Sequence, residues 1–289
     1  MKKIIINFIL LIIISLLFLI IILSTVGLKT DKFNKLISTK ASHSNNINLK
    51  LNTIKFKLNL KELSLFLETQ NPKIKYRDIP IPVENIKAYI DFIHLFKSEL
   101  KIKKANLVLE ELNVPQLKEL SIVMKPSNFK SILNNKIKEG RLISEIDIFF
   151  TDKGTLKNFI AKGSVKDLQA NLLNGLNFSD VRLSFFADRN DILIKNVFGN
   201  LEDVEISDGD IKLNLENGIK INSNFNSEFK FDNKLSKKYL NSFNKFKYLD
   251  NIKSLKAKLN NNIFIDLDNT YKLVDYNYSI SGKLKSGQI

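Results

Sequence analysis

Ile211-Lys212-Leu213-Asn214-Leu215-Glu216-Asn217-Gly218-Ile219-Lys220-Ile221 is the stretch that decides the fold. Apolar and polar residues alternate on both sides of Asn217-Gly218. A period of two puts one face of an extended chain against apolar neighbours and the other in water. Asn and Gly tolerate the left-handed backbone of a tight turn, so the pair predicts a β-hairpin joining 211–215 to 219–221.

The same alternation extends outward. Upstream, Phe159, Ala161, Gly163 and Val165 alternate, then Leu168, Ala170 and Leu172, then Val181, Leu183 and Phe185. Ser207-Asp208-Gly209-Asp210 predicts a turn between two runs. Downstream, Ile263, Ile265 and Leu267, then Tyr276, Tyr278 and Ile280, predict two more strands. A helix is expected over 234–248, where Leu235, Tyr239, Leu240, Phe243 and Phe246 group on one side. The last strand lies close to the end of the sequence, so its edge is expected to continue in a longer chain or to meet a partner.

The first half is less regular. Ile47, Leu49 and Leu51 alternate, then Ile54, Phe56, Leu58 and Leu60, then Leu63, Leu65 and Leu67. Each slip of phase predicts a bulge or a turn between strands. Asn71-Pro72 marks a turn, and Pro80 and Pro82 confine their segment to a sheet edge, since proline cannot donate to a ladder. Strands are expected at 86–90 and 102–110, with a short helical crossover at 91–99 between them. A short helix is expected at 30–39, capped by Thr30. Another is expected at 128–138, capped by Ser127 and stopped by Gly140.

Residues 4–26 are apolar apart from Asn7, Ser15, Ser24 and Thr25. A helix of that length reaches about 34 Å, enough to cross ~30 Å of hydrocarbon. Lys2 and Lys3 precede it, which favours a cytoplasmic N-terminus and a translocated remainder. A cleaved signal peptide is the competing reading, but its apolar core is shorter and ends in a small-x-small site, which 23–27 does not supply. The expected organisation is a cytoplasmic start and transmembrane anchor at 1–27, a β-rich region with short helices at 28–150, and a hairpin-rich continuation of the sheet at 151–289.

The net charge of +15 comes almost wholly from lysine; Arg occurs only at 77, 141, 182 and 189. Reading bases and clamping phosphate favour Arg, so the charge is read as a solvated surface and no nucleic-acid partner is expected. The chain has no Cys and two His, His43 and His94. That removes disulfides and thiolate chemistry and leaves too few ligands for a zinc site. Asp208 and Asp210 lack the other ligands of a calcium loop. The Ser, Lys and Gly signatures of hydrolases, nucleotide-binding loops and dinucleotide folds are missing. The chain is expected not to be an enzyme and to carry no cofactor and no metal.

The expected fold is therefore mainly β with a few short helices: an elongated, curled antiparallel sheet after one transmembrane helix. About sixteen strands at ~4.8 Å each would make a sheet of about 75 Å, more than about four short helices can cover. The apolar face must curl on itself, pack on a second sheet, or line an open trough. A closed sandwich core remains open as the alternative. The residues expected to line a groove are Leu58, Leu65, Ile90, Leu107, Leu109, Phe185, Leu213 and Phe264.

Ile86-Lys87-Ala88-Tyr89-Ile90-Asp91-Phe92-Ile93-His94-Leu95-Phe96-Lys97, followed by Lys101-Ile102-Lys103-Lys104-Ala105-Asn106-Leu107-Val108-Leu109, resembles a recurring strand, crossover and strand unit of the AsmA-like family. The anchor, followed by a short helix and the strand Ile47 to Leu60, is similar to the family's start. Asn158-Phe159-Ile160-Ala161-Lys162-Gly163-Ser164-Val165 and Ile206-Ser207-Asp208-Gly209-Asp210-Ile211 are similar to its later strand pairs. The resemblance implies an inner-membrane anchor, a bulk in the periplasm of a Gram-negative envelope, and an apolar β groove that binds or conducts phospholipid. Outer-membrane assembly proteins are the other implied partners, and a non-transporting scaffold or regulator of outer-membrane protein assembly is the alternative role. The chain departs from the family in length, since about 75 Å of sheet at ~4.8 Å per strand would not bridge two membranes alone.

Overall fold

The computed structural model describes residues 2–30, 47–62, 64–90, 101–171, 176–232, 254–270 and 272–288. It divides into two compact units. One holds Met1–Glu110, Glu119–Val123 and Ser144–Phe159; the other holds Glu111–Lys118, Met124–Ile143 and Ile160–Ile289. The chain is mainly β, with seventeen strands and three helices among the described residues.

Helix α1 (Lys2–Thr25) opens the first unit. Near its end Ser24 Oγ and Thr25 Oγ1 both donate to the Ile21 carbonyl, at 3.1 and 2.7 Å. Gly27 ends it. Its φ of +73° turns the chain, and its N–H donates to the Ile22 carbonyl at 2.8 Å. A Cβ at this position would stand 2.9 Å from the Phe56 carbonyl oxygen, so the close approach also requires glycine.

The strands of this part of the chain are β1 (Leu28–Thr30), β2 (Ile47–Lys50), β3 (Ile54–Asn59), β4 (Ser64–Gln70), β5 (Lys73–Tyr76), β6 (Ile79–Ile81), β7 (Val83–Ile90) and β8 (Ile102–Leu109). The phase slips fall where expected, in the gaps between β2, β3 and β4. Asn71 has φ +47° in the turn before β5. β2, β5 and β6 form a small sheet with β6 at its edge, so Pro80 sits where no ladder donor is missed. Thr30 is the last residue of β1 and pairs with Ile54; the helix it is expected to cap lies outside the described residues. Residues 31–46 and 91–100, where a helix and a crossover are expected, lie outside the described residues.

The second part begins with β9 (Leu112–Asn113), α2 (Val114–Ser121) and α3 (Asn128–Asn135). α2 starts in a reciprocal capping box. Asn113 Oδ1 accepts from the Gln116 N–H at 3.0 Å, and Gln116 Oε1 accepts from the Asn113 N–H at 2.9 Å. α3 is capped by Ser127, whose Oγ accepts from the Lys130 N–H at 3.1 Å. α3 ends three residues before the expected limit of 138. Gly140 is not its stop, because strand β10 (Ile137–Phe150) has already begun and holds Gly140 inside it.

The remaining strands are β11 (Leu156–Asn171), β12 (Asn177–Ala187), β13 (Asp191–Leu201), β14 (Val204–Asn214), β15 (Ile219–Asp232), β16 (Ser254–Leu267) and β17 (Leu273–Gln288). The large sheet has fourteen strands in the order β1-β3-β4-β7-β8-β10-β11-β12-β13-β14-β15-β16-β17, with β9 beside β10; every described pairing is antiparallel. The order does not close into a barrel. The Asn217-Gly218 hairpin is present, with Gly218 at φ +92°. The turn expected at Ser207-Asp208-Gly209-Asp210 is instead a bulge inside β14. Asp208 is left-handed at φ +52°, the register to β15 shifts between Ser207 and Asp210, and Gly209 pairs with Val197. Asp167, Asp180 and Asn196 carry the same left-handed backbone beside register shifts in β11, β12 and β13. The helix expected over 234–248 lies outside the described residues.

Candidate functional site: an apolar face in each unit

Direct partners in an antiparallel ladder project to the same side of the sheet, so register assigns every residue to a face. In the first unit one row runs Leu28, Phe56, Leu67, Ala88, Ala105, Ile148 across six strands. The next row on that face is Thr30, Ile54, Thr69, Ile86, Leu107, Ile146. The opposite face is charged: Lys29, Lys55, Glu68, Lys87, Asn106, Asp147.

The register brings five of the expected groove residues onto the apolar face of this unit. Leu58 and Leu65 are direct partners, and Leu65 lies two residues from Leu67. Ile90 lies two residues from Ala88, Leu107 pairs with Ile86, and Leu109 lies two residues from Leu107. Ile54, Leu67, Ala88 and Ile90 form a small sealed core, while Leu58, Leu65, Leu107 and Leu109 stay only half-buried.

The polar face of this unit is tied together by charge. Lys57 pairs with Glu68 at 2.7 Å, and Asn85 donates to Glu68 at 3.1 Å. Burial acts to raise the Glu68 carboxyl, but the bonds from Lys57 and Asn85 and the charges of Lys57 and Lys87 outweigh it and hold it below its ordinary 4.5. Asn106 donates to Glu145 at 2.6 Å and to Asp147 at 2.8 Å. Tyr89 packs on Phe66 at 5.4 Å between ring centres, and burial pushes its phenol up.

The second unit is more regular. One row runs Ala161, Ala187, Ile192, Leu213, Ile221, Ile265, Tyr276 across seven strands without a polar residue. Its neighbour is Gly163, Phe185, Ile194, Ile211, Ser223, Ile263, Tyr278. The row between them on the other face is Lys162, Phe186, Leu193, Lys212, Asn222, Phe264, Asn277. Phe185 and Leu213 therefore share the apolar face. Phe264 does not: it faces away from them, between Asn222 and Asn277.

From Phe185 through Ile265 the residues of these two apolar rows are half-buried, whereas Lys212, Asn222 and Asn224 are exposed. None of them is sealed; the buried apolar residues of this unit are Leu112, Val114, Leu133, Ala170, Val181 and Ala257. A cavity of about 830 Å³ opens beside the bulges of β11, β12 and β13, with a mixed lining that includes Lys166, Asp180, Arg182, Val165, Leu183 and Phe198. The Arg182 guanidinium lies 4.7 Å from the centre of the Phe198 ring.

Sequence reasoning placed Tyr276, Tyr278 and Ile280 in a strand without assigning them to the face. The alternation of 276, 278 and 280 with polar residues was visible, but their shared face with 263 and 265 comes from the register. No group of three or more His, Cys, Asp or Glu that could hold a metal occurs among the described residues. Helix 3–25 is long and apolar enough to cross a membrane.

Comparison of the chain with known protein families, with curated proteins and with solved structures gives no match. What the rows define is a class by construction: a mainly β protein with an N-terminal apolar helix and a sheet that carries an apolar face in each of its two units, backed by a charged face in the first and a mixed one in the second.

Proposed function

We propose that the chain is a membrane-anchored β protein that holds phospholipid acyl chains against its apolar sheet face. The observation that carries this reading is the unbroken apolar row from Ala161 to Tyr276. Its members from Ala187 to Ile265 remain half-buried instead of sealed.

The physics suits a carrier. Moving one acyl CH₂ from water to an apolar surface releases about 0.8 kcal/mol. A chain passing from bilayer hydrocarbon to this face exchanges one apolar medium for another, so uptake and release both stay shallow. The head group remains in water beside the lysines and asparagines. Lys2 and Lys3 at the start of the helix favour a cytoplasmic N-terminus, which supports a sheet on the far side of the membrane. In this reading the compartment is the periplasm and the process is supply of lipid to the envelope, as the resemblance to the AsmA-like family implies.

The test is lipid retention. The full chain is extracted from native membranes, washed in detergent and analysed by mass spectrometry beside Leu213→Asp and Lys212→Asp variants. Phospholipid is expected with the wild type and with Lys212→Asp, and a several-fold loss with Leu213→Asp. A lipid-free wild type, or equal lipid in all three, would sink the proposal.

A further inference from the structure

Strand β17 is the last in the strand order, and no strand pairs with its outer edge among the described residues. It is long and exposed from 272 to 287. Tyr276, Tyr278, Ile280 and Leu284 stand 62, 66, 56 and 65% exposed on its apolar face. Long flat apolar edges recruit another strand. The charge pattern says which one.

Lys283 stands directly opposite Lys258, and Asp275 directly opposite Asp266. Like charges in direct opposition destabilise a sheet. The inner member of each pair already has a counter-ion on β15: Lys258 pairs with Glu228 at 3.7 Å, and Asp266 with Lys220 at 3.5 Å. What β17 presents at its outer edge is therefore an acid near one end and a base near the other, eight residues apart.

We propose that β17 pairs antiparallel with β17 of a second copy of this chain, about a two-fold axis at Ser279. That register places Asp275 opposite the partner's Lys283, and Lys283 opposite the partner's Asp275. The row then reads Glu228, Lys258, Lys283, and across the axis the partner's Asp275, the partner's Asp266 and the partner's Lys220. On the apolar face Tyr278 meets the partner's Ile280. Tyr276 lies over the partner's Gly282, an aromatic filling the gap that a glycine leaves. Shifting the axis to Ile280 would instead set Asp275 opposite the partner's Lys285, which is committed to Glu228 at 3.2 Å. The pairing extends the apolar rows of one copy into those of the other, and it stands whether or not the face carries lipid.

The chain has no cysteine, so single cysteines report the register cleanly. In native membranes under mild oxidation, Ser279→Cys is expected to shift from monomer to disulfide-linked dimer. Asn277→Cys should stay monomeric, because its two copies would stand about 14 Å apart at ~3.4 Å per residue, beyond disulfide reach. Co-expressed Asn277→Cys and Ser281→Cys should form the mixed dimer. Without cysteines, the full chain should run at twice its mass in detergent. Lys283→Asp should lose the dimer, and adding Asp275→Lys should restore it. Monomer throughout, equal cross-linking at 277 and 279, or an adduct with a different protein would each overturn the proposal.

Discussion

Lys57 and Glu68 form an ion pair of 2.7 Å on the polar side of the first unit, behind the core of Ile54 and Leu67. Both side chains are largely withdrawn from water, at 19 and 8% exposure. A charge left alone in such a place is costly, and breaking a buried pair from one side typically costs about 3–5 kcal/mol. Lys57→Met should therefore destabilise the chain by about that amount, while Lys57→Met with Glu68→Met should recover most of it. Thermal melts of the three variants decide. Equal stability of Lys57→Met and wild type would contradict the assignment.

Glu228 offers a separate titration. It accepts from Lys256 at 2.9 Å and Lys285 at 3.2 Å, and these two hold its carboxyl down at about 2. A depressed carboxyl contributes stability above its ordinary 4.5 and loses it as pH falls toward about 2. Acidification from about pH 5 to about pH 3 should lower the melting temperature of the wild type more than that of Glu228→Gln. Identical acid sensitivity of the two would contradict it.

Gly27 joins helix α1 to the sheet. Alanine there must adopt a positive φ and meet the Phe56 carbonyl oxygen at 2.9 Å. The left-handed backbone alone costs about 1 kcal/mol or more. Gly27→Ala should loosen the junction and raise proteolysis near Leu28, with melting of the second unit unchanged. Unchanged proteolysis would show that the junction is not held as described.

Much of this was legible in the sequence where local chemistry decides. Asn217-Gly218 permits only a turn, Ser127 a cap, and Pro80 an edge, and each sits where expected. Period two across the second half reports strands because each side chain sees only its own face. Where a distant strand decides, the sequence was silent. Ser207-Asp208-Gly209-Asp210 has the composition of a turn, yet β13 on one side and β15 on the other hold it in line, and the left-handed Asp208 becomes a bulge. Gly209 is required there because a Cβ would stand 2.7 Å from Val197 Cβ.

Phe264 shows the same limit at the candidate site. Ile263-Phe264-Ile265 is apolar at three consecutive positions, so alternation cannot say which residue faces which side. Asn222 and Asn277 as its partners answer that, and they are reached only through register. For Leu58 and Leu213 polar residues on both sides fix the phase, and register agrees; Leu65, Leu107 and Phe185 each have an apolar neighbour, and for them too register decides the face. Whether such a face is sealed is a tertiary fact, invisible in any one strand.

The face assignment itself is open to direct measurement. A photoreactive amino acid is placed at Leu213 or at Phe264 in the full chain, in cells, and the adducts are identified by mass spectrometry. Expected is phospholipid attached at 213 and none at 264. Lipid at both positions alike, or at neither, would contradict an apolar face that carries acyl chains.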